Sequence, residues 1–127
     1  MCLDIKRSDE AIIASEDIIC YKALLNRGYG LENLVTYYQG SEVKIGETYV
    51  SELVKSGSSI EIGLHSFAKL NGIKNFRKDS CRSFKSIFVA ECIIPKGSSY
   101  FIGKFEMDCG YTSYASDCLK YVKIIKL

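Results

Sequence analysis

Residues 86–94 read Ser-Ile-Phe-Val-Ala-Glu-Cys-Ile-Ile, a nearly continuous run of apolar and β-branched side chains. A run of this kind suits a central strand covered on both faces. Pro95 follows it and cannot donate to a ladder, and Lys96-Gly97-Ser98 then turns the chain. A chain built around such a strand has to supply neighbouring strands and covering layers.

The remaining segments offer candidates. Residues 18–25, Ile-Ile-Cys-Tyr-Lys-Ala-Leu-Leu, suit a buried strand, although their length and apolar character also fit a helix. Val35 to Tyr38, Val43 to Ile45 and Thr48 to Val50 are short β-prone pieces, with Gly40 and Gly46 between them as hairpin turns. Ile60-Glu61-Ile62 alternates like a half-buried strand. After Gly63-Leu64-His65, Ser66 can cap a short helix in which Phe67, Leu70 and Ile73 recur at three-residue spacing. Tyr100 to Ile102 and Lys104 to Met107 are two strand pieces split by Gly103, and Leu119 to Leu127 is a final strand. The expectation is one compact α+β domain, with a mostly antiparallel sheet of about seven short strands and one or two short helices.

At 127 residues and 47% hydrophobic, the chain has enough apolar surface for a core without disulfides or a metal. Its start, Met1-Cys2-Leu3-Asp4-Ile5-Lys6-Arg7, lacks the apolar stretch of a signal peptide, and no run approaches a bilayer span, so a soluble, cytoplasmic protein is expected. Net charge is only +2, which argues against nucleic acid as a partner. One local exception runs from Lys74 to Lys85, where Arg77, Lys78 and Arg82 form either a solvated loop or an anion-binding cluster. None of the six cysteines forms a Cys-x-x-Cys pair, and His65 is the only histidine, so no metal site is expected. Cys20 and Cys92 sit in apolar runs, where a thiol acts as a small hydrophobe.

Few residues point to chemistry. His65 follows Gly63 at a predicted strand-to-helix junction, a place where backbone approaches ligands, and it is either a site residue or a half-buried structural one. Ser66 shares that junction. Glu91 interrupts the apolar run, which costs free energy unless the carboxylate is paired or faces water. Asp117 is a further carboxylate, and Tyr111, Tyr114 and Tyr121 form an aromatic group that either lines a pocket or packs the core. Lys96-Gly97-Ser98 lacks the spaced first glycine of a phosphate loop. No catalytic set is complete and no cofactor motif is present, which favours binding over turnover.

Several short motifs carry a resemblance along nearly the whole chain. They are Glu16-Asp17-Ile18-Ile19-Cys20-Tyr21-Lys22, Gly46-Glu47-Thr48-Tyr49, Gly63 to Phe67, Cys92 to Ser98, and Ala115-Ser116-Asp117-Cys118-Leu119-Lys120. In this the chain resembles small proteins of bacteriophages, prophages and some large viruses. The resemblance implies a viral or prophage origin and action in the host cytoplasm, where small proteins of this size often block host defence. A partner of that kind is a host protein or a nucleotide-like ligand, with Tyr21, Lys22, His65, Ser66, Glu91 and Asp117 as candidate contacts. The chain also looks like ADP-ribosyltransferases in its order of elements, with Asp117 near the position of that family's glutamate. His65, Glu91 and Asp117 are the candidates for a degenerate transferase site acting on NAD. No Glu-x-Glu occurs near the end, and Tyr21-Lys22 stands where that family has Arg or His, so ligand binding is the safer inheritance. A structural or assembly protein of a virus is the third expectation.

Overall fold

The structure is a computed structural model that describes residues 3–26, 34–36, 41–73, 87–105 and 111–125. Its first strands are β1 (Leu3–Asp4), β2 (Ile12–Ile13), β3 (Ile18–Asn26) and β4 (Leu34–Thr36). Next come β5 (Thr48–Val50), β6 (Val54–Ser56), β7 (Ser59–Ile62) and β8 (Leu64–Phe67). Last are β9 (Ile87–Ile94), β10 (Ser99–Phe105), β11 (Thr112–Ser116) and β12 (Cys118–Ile125). The strand pairings are antiparallel, in the order β5-β12-β9-β3-β8-β11-β10-β1-β7-β6, with β4 added to β3 and β2 to β10.

The apolar run does lie at a centre, since β9 pairs along eight residues with β3 and on its other side with β12. The expected class, however, is overturned. Among the described residues 62% are strand, spread over twelve strands, so the fold is nearly all-β and not an α+β plan of about seven strands with one or two helices. The predicted helix is the largest error. Leu64–Phe67 is a strand, and only residues 70–73 turn helically. Leu64 and Ser66 point to one side and His65 and Phe67 to the other, so a period of two, hidden in a mixed segment, decides the conformation.

Strands that the sequence hides are short and rich in small or polar residues. In β11, Thr-Ser-Tyr-Ala-Ser, the side chains of Ser113, Ala115 and Ser116 are fully buried because neighbouring strands close over them. Gly103 does not split β10. A Cβ there would stand 2.1 Å from the Asp4 carbonyl oxygen, so glycine is what lets β1 lie against β10.

The sheet divides naturally at β3 and β8, which pair only through Tyr21 and Phe67. One half holds β5, β12, β9, β3 and β4, and the other holds β8, β11, β10, β1, β7 and β6 with β2. The largest apolar cluster draws on both halves. Cys20, Leu24, Ala90, Cys92, Ile94, Leu119 and Tyr121 come from the first, and Leu64, Tyr100 and Tyr114 from the second. The halves therefore face each other across a shared core. Full burial of a side chain such as Ile94 contributes about 2 kcal/mol. The ring of Tyr49 meets that of Tyr121 edge-on with centroids 5.5 Å apart, and Tyr100 meets Tyr114 in the same way at 5.7 Å.

Two smaller clusters back the halves. Ala23, Phe67, Ile73 and Val89 cover one end of the first half's outer face, with Leu70 packed against them. Leu3, Ile60, Phe101 and Ala115 back the second half. The opposite end of the first half's outer face has no such cover among the described residues, and Ile19 is 55% and Val50 80% exposed there.

Candidate functional site

Two places gather the candidate residues, one inside the core and one at its rim. The inner place is built by alternation along β3. Cys20, Lys22 and Leu24 share one side of the strand and Tyr21, Ala23 and Leu25 the other. Lys22 thus enters the side that faces the core. Its Nζ donates a 2.6 Å hydrogen bond to the carbonyl oxygen of His65. That contact spans the point where β3 and β8 part, so the ammonium does there what a ladder hydrogen bond does elsewhere.

Around Lys22 lie Cys20, Cys92 and Ser66. Burial brings the Lys22 amine down to about 8, a fall opposed by the nearby Cys92 and Cys20 thiols. Burial pushes the Cys20 thiol up to about 11, against smaller opposing effects of the Ser66 hydroxyl, the Lys22 charge and the Ile94 backbone. Cys92 is raised further by burial, and its neighbour Cys20 adds to the effect. Thiols held in this way are poor nucleophiles. His65 is pushed down to about 4, first by burial and then by the charge of Lys22. At neutral pH its imidazole is uncharged.

The outer place lies where the chain crosses between the halves. Residues 51–53 link β5 directly to β6, the two ends of the strand order, so those edges are close in space. Pro95 to Ser98 carry the chain from β9 to β10, and Asp117 from β11 to β12. Between these crossings is an open cleft of about 510 Å³, lined by Val50, Ser51, Pro95, Lys96, Gly97, Ser98, Asp117 and Cys118. Asp117 holds the cleft together. Its Oδ1 accepts from the Ser99 amide at 3.0 Å, and its carbonyl accepts from the Ser51 amide at 2.9 Å. The turn beside it is fixed from the other side, with Lys96 N donating to Asp17 Oδ1 at 2.8 Å and Gly97 N to Ala14 O at 2.8 Å. Gly97 has φ 90°, a conformation glycine adopts without a Cβ clash.

The six candidate contacts do not form one site. Lys22, Ser66 and the His65 carbonyl meet in the core, and Asp117 stands at the cleft. Tyr21 packs with the second cluster, and Glu91 lies opposite Tyr21 and Lys123 on the outer side of β9. Arg77, Lys78 and Arg82, with the rest of the basic stretch, lie outside the described residues. Among the described residues no group of three His, Cys, Asp or Glu side chains is placed to hold a metal, and no helix is long and apolar enough to cross a membrane.

Comparison with family models, curated proteins and solved structures gave no match. The chemistry of the two places must therefore be read from their own residues. Sequence reasoning missed the cleft's other members. Val50 reads as an ordinary strand residue and Ser51 carries no signal. Lys96 to Ser98 read as a turn, which they are, but nothing local shows that three crossings converge on them.

Proposed function

We propose that this chain is a non-catalytic binding protein of viral or prophage origin that sequesters a protein of its host. Its docking surface is the cleft at Asp117 together with the uncovered end of the first half's outer face. One observation carries this reading. Strand register places Val50 beside Cys118, Lys120 beside Ile93 and Ile93 beside Ile19, so these side chains share one face. Three of them, Ile19, Ile93 and Val50, are branched apolar residues next to an open cleft, whereas Cys20, Lys22 and Cys92, whose ionisation is perturbed, point into the core. Exposed apolar side chains at Ile19 and Val50, with half-buried Ile93 and the polar groups of Lys120, Lys96 and Asp117 beside them, suit an interaction site.

Turnover fits the same arrangement less well. His65, Glu91 and Asp117 occupy three separate settings, and the Asp117 carboxylate is committed to the Ser99 amide. The amine with the lowered pKa is bonded to a backbone carbonyl inside the core. The test compares the wild-type chain with Val50→Asp and Ile19→Asp in binding to host proteins, first by cross-linking and then with the purified partner by calorimetry. The reading expects both variants to fold normally and to lose at least tenfold in affinity. A partner bound equally well by all three chains, or none bound by any, overturns it.

A further inference from the structure

Cys20 and Cys92 stand directly opposite each other across β3 and β9. Both are free thiols, both have no exposed surface, and both belong to the shared core, so they project from the same side of the sheet. Directly opposed residues of antiparallel strands have Cα atoms about 4.5–5.5 Å apart, within the range of about 4.4–6.8 Å that a disulfide spans. Their Cβ atoms are about 4.5–5.5 Å apart in an ordinary ladder, whereas a disulfide needs about 3.5–4.5 Å. Closing the bond thus draws the strands together slightly.

We propose that Cys20 and Cys92 form a reversible cross-strand disulfide, which makes the β3–β9 pair a redox-sensitive latch. Hydrogen peroxide, a small two-electron oxidant, is the co-reactant. One thiol loses its proton, and its sulfur attacks a peroxide oxygen, giving a sulfenic acid and one water. The second sulfur then attacks the sulfenic sulfur; the S–S bond forms and a second water leaves. The two thiols give up two hydrogens and two electrons, and peroxide is reduced to water. Enclosure in the core slows this reaction, because the thiolate is the attacking form. The product is neutral, so the same enclosure does not oppose it. The closer approach of the strands strains the bond and raises its reduction potential, while the same enclosure slows its reduction as it slows its formation. In the adjoining register Ile19 faces Ile93, on the outward side, so closure also moves the proposed docking face. Only this last consequence rests on the binding reading.

The test uses a full-length variant in which Cys2, Cys81, Cys109 and Cys118 are replaced by serine. After exposure to peroxide, its intact mass should fall by two hydrogens and both thiols should vanish from a count made under denaturing conditions. A thiol reductant should restore both. Adding Cys92→Ala should abolish the mass loss. An unchanged mass, or oxygen addition alone, overturns the proposal. If the variant does not fold, peptide mapping of the oxidised wild-type chain decides the matter. A cross-linked peptide pair containing Cys20 and Cys92 supports the latch, and any other pairing, or none, refutes it. Neither readout depends on a binding partner.

Discussion

Acid titration of His65 should govern a measurable part of the protein's stability. In the unfolded chain the imidazole protonates around pH 6.5, and in the folded chain only around 4. The folded state therefore binds fewer protons than the unfolded state throughout that window. By linkage, the contribution of His65 is fully present above pH 6.5 and is lost as the pH falls towards 4. A gap of about 2.5 pH units at about 1.4 kcal/mol each gives about 3.5 kcal/mol, and residual solvent contact reduces it to about 2–3 kcal/mol. The assay is urea unfolding of the wild-type chain and of His65→Gln at steps from pH 7.5 to 4. Each wild-type value is compared with the variant at the same pH, which cancels other titrating groups. The wild-type chain should lose about 2–3 kcal/mol relative to the variant across the range. Parallel curves would show that His65 is solvated in the folded state and would refute the reasoning. Because the Lys22 charge is the second cause of the shift, Lys22→Met should move the His65 titration upward.

Three further outcomes test other links. The Lys22 amine, followed by NMR of its ε-carbon, should titrate near pH 8, and a midpoint at the ordinary lysine value of 10.5 would remove it from the core. Its lowered pKa means that its contribution to stability rises with pH between 8 and 10.5, while Cys20, raised from 9.0 to about 11, contributes in the opposite sense, so the titration itself is the cleaner measurement. Gly103→Ala should destabilise the fold by about 3 kcal/mol, since its methyl group would collide with the Asp4 carbonyl; thermal melting that matches wild type would place β1 elsewhere. Ile94→Ala should cost about 2–5 kcal/mol, while Ile19→Ala, one register step away on the exposed side, should change stability by less than about 0.5 kcal/mol; equal losses in denaturant unfolding would reverse the assignment of faces.

Local composition identified the run before Pro95 as a strand, but it left the run from Ile18 open between strand and helix and split the strand at Ser99–Phe105 in two. The run before Pro95 carries its conformation in its own side chains, because β-branched and aromatic residues suit a pleated, buried surface wherever it forms, whereas the run from Ile18 becomes a strand by pairing with it along eight residues. Short strands such as Thr112–Ser116 and Val54–Ser56 carry no such signal, and their conformation comes from neighbours that supply hydrogen bonds and close over small side chains. For the same reason the spacing of Phe67, Leu70 and Ile73 misled. Phe67 pairs with Tyr21 and Ser113 in the sheet, and only the last turn, which packs over Ala23 and Val89, is helical. Candidate residues behaved likewise. His65 stands out in the sequence as the lone histidine and Lys22 only as part of a short motif, but 43 positions separate them, and only folding brings the Lys22 ammonium to the His65 carbonyl. The sequence alone determined that the runs at residues 18–25 and 86–94 had to be buried and that the chain had to turn after Pro95. Tertiary structure decided which side of each strand faces the core, because a register slip of one residue exchanges the two sides, and that choice rests on contacts distant in the chain.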